Sequence, residues 1–351
     1  MAAYALPDLG AIEGQPATVL AQNEHAFPPS ARVQQAVAEA IGSGQLYPDD
    51  DCSELRTAIA GVHGLDAERI VCGVGSMELM SSLMLAYLAP GARLLMTEYG
   101  YLFMRTLCQL TGATLDVADE VEHRVDVDRV LGQLRPDTRL VFIVNPGNPS
   151  GTVIHNDEIR RLRAALPEDV MLLVDEAYAE FVDADFHRPL FDLATTGNTV
   201  ITRTFSKIYG LAGLRVGWGY FPLEVRDQLR KVQNPGSVSS LSQAAARAAM
   251  QDQAAAATAR RYIAAQREFL SAALAALGLA VVPSQTNFIL VDFRTLQRAD
   301  SAFTYLRRHG LVVRPMGGYG LPACLRITIG SEAQMRATAS TLTAWREQTG
   351  G

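Results

Sequence analysis

The sequence predicts an α/β fold: a mostly parallel sheet with helices on both faces, forming a large cofactor domain, plus a smaller α+β C-terminal domain. Three observations predict it. Short apolar runs alternate with helix-like stretches through the middle of the chain, as crossover connections require. A long Ala-rich helical tract from Ser239 to Leu277 then interrupts that alternation. After it, short strand-like runs return in a different spacing. The division expected is an N-terminal segment over 1–35, a large domain over 36–250 and a small domain over 251–351.

Arg69 to Cys72 reads as a strand followed by a helix over Ser76 to Leu88, and Ala92 to Met96 as a strand followed by a helix near Leu102 to Leu110. Leu140 to Val144 leads through a Pro/Gly turn into Asp157 to Ala165. Val170 to Val174 and Thr199 to Thr202 continue the series, and Val216 to Phe221 extends it. In the C-terminal part, Ala280 to Val282, Phe288 to Asp292, Leu311 to Arg314 and Leu325 to Ile329 read as strands. Ser301 to His309 and Ser331 to Glu347 read as helices. In such folds the chemistry gathers at the carboxyl ends of the strands.

Composition narrows the function. The 351 residues suffice for two cores, and 48% hydrophobic with 19% charged residues describes an ordinary globular protein. A net charge of −6 excludes a nucleic-acid partner as the expectation, and the short basic run Arg160-Arg161-Leu162-Arg163 reads as a solvated helix face. No apolar run approaches the ~20 residues of a membrane span. No secretory signal is apparent in Met1 to Gly10, and Cys52, Cys72, Cys108 and Cys324 lack metal-ligand spacing. The expectation is a cytoplasmic protein with reduced thiols, no metal and no membrane partner.

The most telling stretch is Thr204-Phe205-Ser206-Lys207, eight residues ahead of Arg215 in Gly213-Leu214-Arg215-Val216-Gly217. A lysine at the end of a buried strand, near another cation, loses its proton readily and becomes an imine-forming nucleophile. Hydroxyls and a guanidinium beside it suit a dianionic phosphate. Ser-Lys alone is a common dipeptide, so the neighbouring motifs carry the weight. Together they point to a lysine-bound phosphate cofactor, pyridoxal phosphate.

Val174-Asp175-Glu176-Ala177-Tyr178 ends an apolar run with a carboxylate, either a helix N-cap or the partner of a protonated pyridine nitrogen. Tyr178 stands where it could donate to a ring oxygen. Val144-Asn145-Pro146-Gly147-Asn148-Pro149-Ser150-Gly151 is a rigid turn that holds Asn148 in one orientation, or simply a loop. Gly73-Val74-Gly75-Ser76-Met77 joins a strand to a helix and offers free amides to an anion. It equally opens a dinucleotide site, but Glu78 stands where the third glycine of that motif belongs. Arg326, in Leu325-Arg326-Ile327-Thr328-Ile329-Gly330, puts a guanidinium inside an apolar strand. It needs an anion, from a substrate or from the protein itself. Arg314 invites the same argument.

In order and spacing these motifs resemble the aspartate-aminotransferase superfamily of fold type I pyridoxal-phosphate enzymes, most closely the histidinol-phosphate aminotransferase family. The match runs from about Asn23 to Ile329. The resemblance implies that Lys207 carries the cofactor, Asp175 pairs with its ring nitrogen, and Asn148 and Tyr178 bond its ring hydroxyl. Its phosphate would be held by Ser76, the Gly75–Met77 backbone, Thr204, Ser206 and Arg215, with Tyr101 stacked on the ring. Tyr47, in Leu46-Tyr47-Pro48-Asp49, resembles a tyrosine that reaches the cofactor phosphate of a second subunit, which implies a homodimer. Asn23, His25, Arg314 and Arg326 would meet a small anionic amino substrate, with ping-pong transamination to a keto acceptor.

The chain departs from that family at Met77, normally acidic, at His25-Ala26, where Asn-Pro is usual, and at Tyr99, which replaces a proline. Leu6-Pro7-Asp8 is a poor substitute for the family's N-terminal phosphate-holding segment. These changes favour altered substrate choice: the substrate expected is histidinol phosphate or, given the departures, an aromatic or other modified amino acid. A pyridoxal-phosphate decarboxylase is the alternative on the same pattern. A non-catalytic binding protein and a nicotinamide oxidoreductase are the outsiders.

Overall fold

A computed structural model describes residues 17–183 and 189–349. Its thirteen strands are β1 (Thr18–Val19), β2 (Ile70–Gly73), β3 (Arg93–Thr97), β4 (Thr114–Ala118), β5 (Thr138–Val144), β6 (Met171–Asp175), β7 (Thr199–Thr204), β8 (Gly217–Tyr220), β9 (Ala280–Val282), β10 (Phe288–Asp292), β11 (Leu311–Val312), β12 (Arg314–Met316) and β13 (Leu321–Thr328). Seven form the large sheet, in the order β2-β8-β7-β6-β5-β3-β4. All its pairings are parallel except those of β8, which runs against both β2 and β7.

The apolar runs bury both faces because strand side chains alternate. Leu140, Phe142 and Val144 of β5 join one core with Leu79, Leu83, Met104 and Leu107. Val141 and Ile143 join the opposite core with Ile159, Leu162 and Leu172. The helices Ser76–Tyr87, Phe103–Thr111, Asn156–Ala165 and Leu223–Val232 supply those covering faces.

The smaller sheet is antiparallel, β12-β13-β10-β9; Leu296–Arg308 packs on β13, Gln253–Ala276 packs on β9 and β10, and Glu332–Thr349 packs on those two helices. A two-stranded parallel tie, β1 with β11, fastens the N-terminal segment to this part of the chain. The Ala-rich tract is two helices, Ser240–Met250 and Gln253–Ala276. They are separated where the Asp252 side chain accepts from the Ala255 amide and restarts the helix.

Several elements differ from the sequence expectation. Strand β4 lies at the sheet edge and is only half-buried over most of its length, so its pattern lacks the apolar run of a central strand. Helices Ala31–Ala40 and Ser53–His63 have mostly exposed surfaces and few buried apolar positions. The run Leu311 to Arg314 is not one strand: β11 pairs with β1, while β12 pairs with β13. Leu6-Pro7-Asp8 lies outside the described residues. Among the described residues no helix is long and apolar enough to cross a membrane.

Candidate active site

A cavity of about 600 Å³ opens where β2, β5, β6 and β7 end and the small sheet faces them. That volume accommodates a cofactor with a small substrate. Lys207 lies three residues beyond β7, and its Nζ donates to the backbone carbonyls of Gln22 at 3.2 Å and Asn23 at 3.1 Å. Burial, with Arg326 and Arg215 adding repulsion, pushes the ammonium down to about 7 against the pull of Glu24 and Asp175. The residue is a usable amine near neutral pH.

Asp175 is the last residue of β6 and is 6% exposed. Burial raises its carboxyl to about 7, against the stabilising hydrogen bonds from Thr202 Oγ1 and the Ala177 amide. A carboxyl so placed is poised to ionise when a cation comes beside it. The Tyr178 hydroxyl accepts from Asn23 Nδ2 at 2.9 Å, and burial holds its phenol up at about 12. Lys207 Nζ stands 5.7 Å from the centre of the Tyr178 ring.

The anion end of the cavity is built by backbone. Helix Ser76–Tyr87 starts after Gly75, at φ 75°, with no side chain capping it, so its first amides are left for a ligand. Glu78 Oε2 accepts from the Val74 amide at 2.7 Å and locks the turn. A Cβ on Gly75 would meet Arg215 Nη2 at 2.9 Å, and one on Gly217 would meet the Ser76 nitrogen at 2.3 Å. Ser76, Thr204 and Ser206 hydroxyls line the same end. Uncapped amides, hydroxyls and a guanidinium packed against glycine fit a phosphate group, and the amine and carboxyl beyond them fit a pyridoxal ring.

At the other end Arg326 enters from β13, 2% exposed, donating Nη1 to Asn148 Oδ1 at 2.6 Å and Nη2 to the Ala21 carbonyl at 2.9 Å. Arg314, its cross-strand partner on β12, also lines the cavity.

Thus Asn23, Gly75, Ser76, Met77, Tyr101, Asn148, Asp175, Tyr178, Thr204, Ser206, Lys207, Arg215, Arg314 and Arg326 come together. His25 does not. Its Nδ1 engages the Phe27 backbone, and its ring packs against Gly210 on a separate cavity with Ile208 and Tyr209. Tyr47 is 99% exposed and does not line this chain's own cavity. The residue-by-residue reading missed Glu24 and Tyr319. Glu24 was legible as the neighbour of Asn23, whereas Tyr319 sits in a Gly-rich turn with no periodic signal.

A family model for aminotransferase class I and II matches residues 16–342. Histidinol-phosphate aminotransferase of Ruegeria pomeroyi is 42% identical, over 93% of this chain and 91% of that protein. The enzyme of the same name from Granulibacter bethesdensis is 43% identical, over 94% and 89%. The crystal structure of histidinol-phosphate aminotransferase from Sinorhizobium meliloti, in complex with pyridoxal 5'-phosphate, superposes with a TM-score of 0.90 at 29% identity. It covers 95% of this chain and 92% of that one. With the family model spanning nearly the whole chain and a phosphate-and-amine site beneath it, this protein belongs to the class I and II aminotransferases.

Proposed function

We propose that the amino donor is histidinol phosphate and that a small keto acid accepts the amino group. The observation that carries the choice is the pair of cross-strand arginines, Arg314 and Arg326, at the cavity end opposite the phosphate cradle. A second cationic site there suits a donor with its own phosphate or carboxylate. The names borne by the relatives point to the phosphate.

Bound pyridoxal phosphate supplies the electron sink that makes the donor's Cα proton removable. The chain's residues do the rest. Ser76, Thr204, Ser206, Arg215 and the Gly75–Met77 amides hold the phosphate, and Tyr101 flanks the ring. Asp175 holds a proton on the ring nitrogen by ionising beside it, and a cation there favours the charged form of its raised, buried carboxyl. Asn148 and Tyr178 orient the ring hydroxyl. Arg326 fixes which end of the Asn148 amide is the carbonyl. Lys207, its ammonium lowered to about 7 so that a large share is neutral at that pH, accepts and returns the proton lost from the donor's Cα. In this scheme residues 36–250 carry the cofactor, 251–351 carry the substrate arginines, and the segment within 1–35 closes over Lys207 through Gln22 and Asn23.

Two copies would assemble, with Tyr47 reaching the partner's cofactor phosphate. The exposed run of Ile41 at 60%, Leu46 at 64% and Tyr47 at 99% supports that contact. Reduced, buried thiols are in keeping with a cytoplasmic site.

The test is the absorption spectrum of the holoenzyme while histidinol phosphate, phenylalanine and glutamate are added singly. The reading predicts that histidinol phosphate bleaches the visible band to the amino form of the cofactor at the lowest concentration. Preference for phenylalanine would overturn the substrate choice. Release of carbon dioxide from an amino acid, with no amino form accumulating, would favour decarboxylation instead.

A further inference from the structure

Outside the active site, Cys52 and Cys72 line one surface cavity of about 270 Å³ together with Asp49, Asp50, Asp51 and Arg230. We infer that Cys52 and Cys72 form an oxidisable thiol pair that reacts with a small neutral peroxide to give a disulfide.

The two side chains belong to one packed cluster and are 4% and 6% exposed. Their thiols are close enough to interact. The Cys52 thiol, more than burial, is what pushes the Cys72 thiol up. Both backbones are held in place. Asp51 pairs with Arg56 and Arg230, the Asp49 carboxylate accepts from the Asp51 and Ser53 amides, and Gln233 Nε2 donates to the Cys72 carbonyl at 2.7 Å. Cys52 sits at φ 49° immediately before helix Ser53–His63 and makes no side-chain cap. Cys52 stands at the helix start, while the Cys72 thiol beside it keeps its proton.

The chemistry closes on these two residues. The Cys52 sulfur attacks one peroxide oxygen, the O–O bond breaks, and water leaves from a sulfenic acid on Cys52. The Cys72 sulfur then attacks the Cys52 sulfur and displaces hydroxide, which takes the Cys72 proton and departs as a second water. Two thiols are oxidised and one peroxide is reduced. Three aspartates at the cavity mouth against one arginine repel anionic disulfides such as oxidised glutathione, so an uncharged oxidant is selected. The bond would tie the strand end that precedes Gly75 to the segment that follows Tyr47.

The test is to titrate the holoenzyme with hydrogen peroxide, alkylate it under denaturing conditions and map the peptides. The expected result is a Cys52–Cys72 linked peptide and a fall from four free thiols to two, reversed by dithiothreitol, while Cys108 and Cys324 still alkylate. Cys72→Ser should stop the reaction at a Cys52 sulfenic acid that dimedone traps, and Cys52→Ser should abolish the link. Circular dichroism shows whether either variant is folded, and the wild-type map decides if one is not. Absence of the linked peptide in wild type when methionines are already oxidised would overturn the inference. So would earlier loss of Cys108 or Cys324, or faster reaction with oxidised glutathione than with peroxide.

Discussion

Arg326 and Asn148 are joined by a 2.6 Å hydrogen bond that crosses the active-site cavity from the small sheet to the turn after β5. The bond makes the orientation of the amide a property of both halves of the site. Asn148→Asp should convert it to an ion pair that competes with the substrate anion. The expected outcome is a KM for the anionic donor raised by roughly tenfold, with kcat changed less. That loss is about 1.4 kcal/mol of shared ground-state and transition-state binding. Steady-state kinetics on the donor half-reaction check it.

In the cofactor-free protein, Lys207 should react as an amine with a midpoint near pH 7 instead of near 10.5. Its folded-state pKa is depressed, so the neutral, nucleophilic form dominates once pH rises past about 7. The rate of modification by an amine-reactive acylating reagent, mapped to the Lys207 peptide across pH 6 to 10, measures this.

Asp175 makes folding stability depend on pH in the cofactor-free protein. Its folded pKa, about 7, lies above its ordinary 3.8, so the folded cofactor-free protein binds more protons between those values. Its contribution therefore falls as pH rises from about 4 to about 7, by a few kcal/mol for a shift of this size. Asp175→Asn should flatten that slope in the cofactor-free protein, as read by urea midpoints at successive pH values. An unchanged slope would count against a buried, protonated Asp175.

Gly217→Ala should damage the phosphate cradle, since its Cβ would lie 2.3 Å from the Ser76 nitrogen and 2.6 Å from the Gly75 carbonyl carbon. Both are backbone atoms and cannot rotate away. Overpacking of this kind costs about 1–3 kcal/mol. Cofactor affinity should fall by roughly the corresponding 10- to 100-fold, measured by titrating the cofactor-free variant with pyridoxal phosphate.

Asn23 and Tyr178 should be coupled energetically. Asn23 donates to the Tyr178 hydroxyl and accepts from Thr328 Oγ1 at 3.2 Å. A double-mutant cycle with Asn23→Ala and Tyr178→Phe should return a coupling of about 1 kcal/mol, because either substitution alone leaves a buried polar partner behind. Thermal midpoints of the four proteins give the number.

The strands that carry chemistry were legible because burial on both faces forces apolar runs, and a polar residue ending such a run stands out. Asp175 is of that kind, and Lys207 follows the buried run of β7 by three residues. Strand β4 was not legible, since an edge strand half-exposed to solvent carries no such run. The reversal of β8 was hidden too, because strand direction depends on the partner and not on the strand's own residues. His25 lies outside the cavity lining for a local reason: Asn23 adopts φ 55°, which turns the following residues, and His25 bonds to the backbone at Phe27. Tyr319 entered the cavity through the geometry of β12 and β13, which a Gly-Gly-Tyr-Gly turn does not announce.

The Asn23 amide donates to Thr328 Oγ1, and Arg326 donates to the Ala21 carbonyl, in each case across 305 positions of chain. While the chain is being synthesised, the large sheet and Lys207 emerge well before Arg326 does. The lysine therefore waits without the wall that Arg326 supplies, and the Asn23 segment waits without its anchor. Contacts of such long separation form late. Closure of the cofactor pocket is thus an event of the final stage of folding, after the ribosome has delivered β13, and cofactor captured earlier would be held by the large domain's residues without the wall from Arg326 and Asn23.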